Sequence, residues 1–469
     1  MHIVVVGGGI AGLAAAWFLR ELRGESAAVT VLEAAPQVGG KLGQAEVGGL
    51  TVDTGAESVL ARRPEAVELI RAVGLSGDLV HPGTNSAGVW SRGHVRALPA
   101  EQVMGIPSDL AALARSGIVS TAGVLRAMGD EATPVRPQAE DVAVGAYVGE
   151  RLGPEIVERL IDPLLGGVYA GHAEQLSMFA TLPQFTRAVT EGVPLTTAAA
   201  QVRAQAQPGP VFAGIAGGVG RLPAALARHS GAQVRTGVTV QGLSRTPEGW
   251  TVLTRSGLTD ETLAADAVVL AVPAPAAARL LGAPVPAAAA ELAGIAYASM
   301  AIVTLVYPPA AGEPPVAGSG FLVPAVDRRL IKAVTLSSAK WEWTAQAAAA
   351  AGSGTVLRAS VGRLGEEADL QRSDEDLVHG VAVDVAHATG LAGSPVDAQV
   401  HRWGGALPQY TVGHLDRVRR IREAVAAVPG LAVCGAAYDG VGIAACVASA
   451  RLAAERIVGS ARADGRMAP

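Results

Sequence analysis

The run Gly7-Gly8-Gly9-Ile10-Ala11-Gly12, placed straight after an apolar strand and straight before an Ala/Leu-rich helix, constrains this chain's fold more than any other feature. Residues 3–7 read Ile-Val-Val-Val-Gly, the helical stretch ends near Arg20, and a second apolar strand at residues 29–32 ends on Glu33. Strand, glycine turn, helix, strand and acid, with G-x-G-x-x-G spacing at Gly7, Gly9 and Gly12, make the βαβ unit that binds dinucleotides. Gly7 permits the tight turn, Gly9 lets the backbone approach a pyrophosphate, and Gly12 lets helix and strand pack closely. The helix N-terminus offers unpaired N–H groups and positive partial charge to the phosphates. Glu33 can accept hydrogen bonds from both ribose hydroxyls and would repel a 2′-phosphate, so NADP is a poor fit.

At 469 residues the chain has room for about two or three domains and a large core. Hydrophobic residues make up 50% and mean hydropathy is +0.34, which raises the question of a membrane span. The longest uncharged stretch, residues 292–312, holds Gly294, Ser299, Thr304, Pro308 and Pro309, and its middle reads as a buried strand. The apolar excess is mostly Ala and Gly, and Lys41, Lys332 and Lys340 are the only lysines among 37 basic residues. A net charge of −5 gives no reason to expect nucleic acid. With a strand beginning at residue 3 no signal peptide is expected, and two cysteines, Cys434 and Cys446, suit a reducing cytoplasm as small core fillers. The nine histidines show no ligand spacing, so no metal is expected.

Three interleaved parts are expected in an α/β chain: a Rossmann-like domain from residues 1–65, 211–285 and 425–469, a sheet-plus-helix domain from 66–104 and 286–424, and a helical insertion at 105–210. Within the insertion, helical pattern covers 109–115, 119–128, 141–151 and 154–165, with Ser108 and Pro154 as starts, and 205–214 is a linker. Strands are expected at 234–240, 250–255, 267–272, 300–306, 330–336 and 356–361, and a helix near 374–389. The chain closes on strand 431–435, a glycine turn Asp439-Gly440-Val441-Gly442-Ile443 and an Ala-rich helix, a second helix N-terminus for charge to approach.

After Glu33 the chain runs through Ala34 to Gly39-Gly40-Lys41, and then to Val52-Asp53-Thr54-Gly55-Ala56-Glu57-Ser58. This pattern resembles the FAD-binding flavoproteins of the amine oxidase and protoporphyrinogen oxidase superfamily, in which the acid is followed by a GG-[RK] turn. The resemblance implies non-covalent FAD held by Gly7, Gly8, Gly9, Ile10, Ala11 and Gly12, by Glu33 and Ala34, by Gly40 and Lys41, and by Gly55, Ala56, Glu57 and Ser58. Val238, Trp403, Gly435, Val441, Gly442 and Ile443 complete that set, the C-terminal turn facing the N1/O2 edge of the flavin. Lys41 stands where Arg is more usual and lacks its bidentate fork.

The string Asp162-Pro163-Leu164-Leu165-Gly166-Gly167-Val168-Tyr169-Ala170-Gly171 closely resembles the porphyrinogen-oxidising flavoproteins, as do Gly105-Ile106-Pro107 and Leu407-Pro408-Gln409-Tyr410 through Gly413-His414. In style the match is to the bacterial coproporphyrin-pathway branch, which oxidises coproporphyrinogen III to coproporphyrin III in haem biosynthesis. That chemistry passes hydride from a bridge carbon to flavin N5, with a pyrrole proton lost and O₂ reduced to H₂O₂, and it asks the protein mainly for positioning. The resemblance places Leu322 against the macrocycle, the Gly167 carbonyl near its pyrrole N–H groups, and Gly362 where bulkier side chains narrow other branches. Arg62, Arg63, Arg96 and Arg363 are candidate propionate partners. Ala87 stands where the mitochondrial form has an Arg, which puts a two-carboxylate protoporphyrinogen site in doubt. No catalytic acid or base is identified, and Tyr169, Tyr410 and His414 read as structural. Protoporphyrinogen IX oxidase, a flavin amine oxidase or carotenoid desaturase, and a non-catalytic flavin-binding partner stay open, as do hand-off of product to a ferrochelatase and peripheral membrane contact.

Overall fold

Five parallel strands, in the order Gln233–Arg235, Ala28–Leu32, His2–Val6, Ala267–Leu270 and Leu431–Val433, carry the glycine turn at their C-terminal ends. The computed structural model describes residues 1–463 apart from Asn85, Gln207 and Pro315. The strands read as unbroken apolar runs because a parallel sheet is covered on both faces. Helices Ile10–Arg23 and Ile443–Ala463 pack along each other on one face. Helix Pro64–Ala72 packs on the C-terminal helix, so Ala66, Val67, Leu69 and Ile70 share the core of the first βαβ unit. The opposite face buries Val4, Val6, Val268 and Leu270 against helix Ala274–Leu281 and a meander of strands Thr239–Arg245, Trp250–Ser256 and Thr259–Ala265.

The strand expected at 234–240 is two strands. Gly237 takes a φ of +69°, and the backbone N–H groups of Gly237 and Val238 donate to Ala35 O and Glu33 O instead of continuing a ladder. The chain thus leaves the parallel sheet at Arg235 and enters the meander at Thr239.

A second sheet has seven strands in the order Asp397–Pro408, Tyr297–Val306, Val356–Val361, Ile331–Thr335, Gly320–Leu322, Gly88–Ser91 and His94–Ala97. Helix Asp374–Thr389 covers one face. Strand Asp397–Pro408 lay outside the expected strands: its Gly404-Gly405 pair and terminal Pro408 read as a turn, while its pairing with Tyr297–Val306 comes from a segment about a hundred residues away. Hairpin Gln44–Val47/Leu50–Asp53 packs Val47, Leu50 and Val52 onto Val306 and Val356, tying the loop after the first βαβ unit to this sheet.

Helices dominate residues 110–204. Asp109, rather than Ser108, caps the first by accepting from Ala111 N and Ala112 N at 2.7 and 3.1 Å. The run expected at 154–165 extends to Tyr169 and widens into a π turn at Val157–Ile161. Pro163 explains it: its ring clashes with the carbonyl four residues back and it has no N–H to donate there. The expected linker ends in a strand, Phe212–Ile215, which pairs with Val59–Leu60 and Leu79–Val80. Among the described residues no helix is long and apolar enough to cross a membrane.

Candidate functional site

The first glycine turn is fixed by contact distances. A Cβ on Gly12 would lie 1.9 Å from Gly7 O, and one on Gly7 (φ +107°) would lie 2.6 Å from Ala271 O. A Cβ on Gly9 would meet only Gly40 Cα, at 3.9 Å, so the turn is open on the side where a phosphate approaches the N-terminus of helix Ile10–Arg23. Gly39 N donates to Gly8 O at 2.9 Å, laying the Gly39-Gly40 turn against the first. Half-buried Glu33 is held from below, Oε2 accepting from Gly8 N at 2.6 Å and Oε1 from Ala35 N at 2.8 Å. Each oxygen keeps a further lone pair for a ribose hydroxyl.

The loop at residues 53–58 is braced by side chains from far along the chain. A Cβ on Gly55 would lie 2.0 Å from Lys41 O. Trp403 donates Nε1–H to Thr54 O at 2.8 Å and lays its ring beside Gly43 and Gly55. Lys41 is half-buried with Nζ 5.8 Å from the Tyr297 ring centroid, and burial pushes its pKa below the usual lysine value. Asp53 accepts from Val219 N and Gly220 N, both at 2.9 Å, pinning a second glycine turn, and burial raises it to about 6.

Glu57 departs from the expected role. Its carboxylate takes Lys340 Nζ and Arg358 Nη1, each at 2.6 Å, and Arg358 Nη2 reaches Gly55 O. Burial alone would raise its pKa, but the two cations hold it down at about 2. The side chain clamps the loop to strand Val356–Val361, an engagement the resemblance did not suggest; Ala56 beside it is exposed.

At the C-terminal turn, Gly435 and Gly440 take φ of +124° and +138°, and a Cβ on Gly442 would meet nothing within 4 Å. Gly435 sits against Ala11, so this turn lies beside the N-terminus of the first helix. Tyr410 Oη donates to Ala436 O at 2.6 Å and accepts from Gly440 N at 2.7 Å, while its ring stacks on His414 at 3.8 Å and tilts against Tyr169 at 5.5 Å. Val441 packs onto the helical core, and Ile443 opens the final helix.

Gly167 and Leu322, which only the resemblance links, lie beside each other. Gly167 is exposed in the last turn of helix Asp162–Tyr169, and a Cβ there would stand 3.3 Å from Leu322 Cδ2. The four arginines do not gather around them. Arg363 is 4% exposed and already holds Glu366 at 3.1 Å and Val323 O at 2.8 Å. Arg63 pairs with Glu65 on the surface, and Arg96 donates to Ser91 O within its own hairpin. Arg62 lines a surface cavity of about 370 Å³ with Arg71 and His81. Gly362 is also reassigned. With φ +93° and a virtual Cβ 3.0 Å from Leu370 Cδ2, its glycine answers to backbone and core and opens no space in the site.

Residues 10–458 match the family described as flavin containing amine oxidoreductase. The chain belongs to this family. It is 38% identical over 460 residues to the coproporphyrinogen III oxidase of Mycobacterium tuberculosis strain H37Rv, covering 97% of this chain and 96% of that one. It is 29% identical to the protoporphyrinogen oxidase of Bos taurus, covering 98% of each. A crystal structure of a candidate protoporphyrinogen oxidase from Exiguobacterium sp. 255-15 superposes with a TM-score of 0.85 at 33% identity, over 97% of this chain and 98% of that one.

For a flavin containing amine oxidoreductase the cofactor is FAD, and these residues fit it. Open glycine backbone at Gly9 and Gly442, two adjacent helix N-termini and the anchored Glu33 carboxylate suit a dinucleotide. The sequence reading missed Asp53, Arg358 and Lys340 as builders of this site. One signal was available: in a chain with only three lysines among its Lys and Arg residues, two of them, Lys41 and Lys340, lie half-buried at this site.

Proposed function

We propose that the chain oxidises coproporphyrinogen III to coproporphyrin III, with O₂ as final acceptor. The observation that carries this reading is the narrow apolar contact between Gly167 and Leu322, in a helix whose end is joined through Tyr169 and Tyr410 to the C-terminal turn. Exposed glycine backbone beside a Leu side chain offers an apolar surface on which a flat macrocycle edge can lie. The relatives' names point the same way: a coproporphyrinogen III oxidase matches at 38% identity and a protoporphyrinogen oxidase at 29%.

FAD bound here supplies a hydride acceptor whose electrons pass to O₂. Each two-electron step removes a hydride from a bridge carbon and a proton from a pyrrole N–H; three steps remove six hydrogens and reduce three O₂ to H₂O₂. The protein contributes placement. Leu322 presses the ring, and Gly167, in the last helical turn where carbonyls lack helical partners, presents its C=O to the pyrrole N–H groups. In this reading the FAD is non-covalent, since the C-terminal turn from Gly435 to Ile443 holds no Cys or His that could attach it, and acid precipitation should leave the flavin in the supernatant. The division into FAD, substrate and helical parts belongs to this reading, as does a cytoplasmic site and delivery of product to a ferrochelatase.

A side-by-side assay of porphyrin fluorescence on coproporphyrinogen III and protoporphyrinogen IX tests it. Faster oxidation of the tetracarboxylate, with H₂O₂ released, is expected. Equal or faster oxidation of protoporphyrinogen IX would overturn the preference, and no H₂O₂ from either would overturn the activity.

A further inference from the structure

Among the described residues four Lys or Arg side chains are buried, and three of them have a carboxylate partner. Arg151 holds Asp130 at 2.8 Å, Arg358 holds Glu57 at 2.6 Å, and Arg363 holds Glu366 at 3.1 Å. Lys332 is 3% exposed, no carboxylate comes within ion-pairing distance, and its one polar contact is Met300 Sδ at 3.9 Å. A buried ammonium without an anion is costly enough that proteins either pair it or neutralise it. A position that only had to fill space would be served better by Met or Leu.

The backbone aims this amine at the substrate side. Ile331 pairs with Val361 and Ala333 with Ser360, so Lys332 is the extra residue of a bulge, a feature that re-aims a side chain. Ile331, Val334, Ala301 and Phe321 face the core under helix Asp374–Thr389. By strand alternation Met300 and Leu322 face the other way, and that is the face on which Leu322 meets Gly167. Lys332 reaches Met300, so its amine lies on this face too. Met300 is half-exposed and flexible enough to swing aside.

We propose that Lys332 is the specificity cation of the cavity, its ammonium receiving one propionate carboxylate of the tetracarboxylate substrate once the Met300 thioether has moved. This rests on the porphyrinogen reading and deepens it. The free charge lies close to Arg363, the cation that sequence pointed to and that the fold has already engaged. A macrocycle with a propionate on every pyrrole places a carboxylate inside whichever edge enters first. Protoporphyrinogen IX can enter with its vinyl edge, for which a deep cation offers nothing.

The charges around Lys332 allow a pH test. Arg363 and Glu366 face it from the end of strand Val356–Val361; from helix Asp162–Tyr169, Asp162 lies beyond Arg363; from helix Asp374–Thr389, Asp384 is tied to Arg329 and to the N–H groups of Leu330 and Ile331. Burial first, and Arg363 second, bring the Lys332 pKa down to about 7, against a smaller pull upward from Glu366. The amine is therefore charged below about pH 7 and increasingly neutral above it, so carboxylate binding weakens as pH rises.

The experiment titrates holoenzyme with coproporphyrin III and with its tetramethyl ester, following porphyrin fluorescence, in wild type, Lys332→Met and Lys332→Arg. Removing one charged hydrogen bond should weaken tetra-acid binding by about ten- to a hundredfold in Lys332→Met and leave the ester unchanged. Lys332→Arg should stay within several-fold of wild type and lose the decline in affinity above pH 7. Unaltered tetra-acid affinity in Lys332→Met overturns the proposal, as does equal weakening of acid and ester. A fall in kcat in both variants with affinity intact also overturns it, assigning the amine to proton transfer. Wild-type turnover of coproporphyrinogen III is measured alongside: its absence overturns the activity, whereas its presence with an unaffected Lys332→Met overturns only the role of Lys332.

Discussion

A methyl group added at Gly12 would lie 1.9 Å from Gly7 O, whereas one added at Gly167 would meet Leu322 at 3.3 Å, and these two distances separate the two halves of the site. On the nucleotide side backbone meets backbone, and nothing can yield. At Gly167 the added methyl meets only a side chain, and Leu322 can rotate. The first half is therefore intolerant of change and the second is tunable, as expected if every relative binds the same cofactor while substrates differ.

Four substitutions sharpen or break this contrast. The largest effect is expected for Gly12→Val, which forces apart the first turn and its strand: a loss of about 3 kcal/mol or more, with FAD absent after purification. Retained flavin at a wild-type melting temperature would show that the turn relaxes and that the contrast is false.

Glu57→Gln comes next. Removing the shared anion leaves buried Arg358 and half-buried Lys340 without a carboxylate, at a cost of about 3–5 kcal/mol. Because the folded pKa lies at about 2, below the ordinary 4.5, Glu57 stabilises fully above about pH 4.5 and loses that contribution as pH falls through about 2. The acid limb of a melting-temperature profile should shrink in the variant, and an unchanged limb would mean that Glu57 is not the clamp.

Glu33→Ala should cost about 1.5–3 kcal/mol of FAD affinity, enough for flavin to wash off on desalting, while Glu46→Ala, which loses only an exposed contact with Thr51, should not. Equal occupancy in the two would remove Glu33 from the ribose.

Gly167→Ala should have the smallest effect on stability, within about 1 kcal/mol in either direction because Ala favours the helix. It should instead raise KM for the porphyrinogen several-fold, with Leu322→Ala restoring part of the loss in the double variant. Additive penalties would mean that the two residues do not share a wall.

The same contrast decides what the sequence could disclose. Gly7, Gly9, Gly12 and Glu33 lie within 27 residues, and their spacing is the geometry. Gly167 and Leu322 were legible only through resemblance, since no local pattern says that a helix near 165 will face a strand near 321. Arg363 shows the limit: a cation at the right place in the chain is already neutralised by Glu366, and the unpaired charge belongs to Lys332 on the neighbouring strand. Strand Asp397–Pro408 was hidden for the same reason, its identity fixed by Tyr297–Val306 and not by its own Gly404-Gly405.

The packing behind the C-terminal turn has an electrical consequence. Burial moves every titratable ring and thiol there away from neutrality: His414 falls to about 4, Tyr169 and Cys446 rise to about 12, and Tyr410, Tyr438 and Cys434 are pushed up as well. Between about pH 5 and pH 9 none of these six groups gains or loses a proton. These rings and thiols are thus titration-silent over that range, and their charge stays constant while solvent pH varies. Any bend in the pH profile of turnover between those values reports on other groups, of which Asp53, raised to about 6, and Lys332, lowered to about 7, are two.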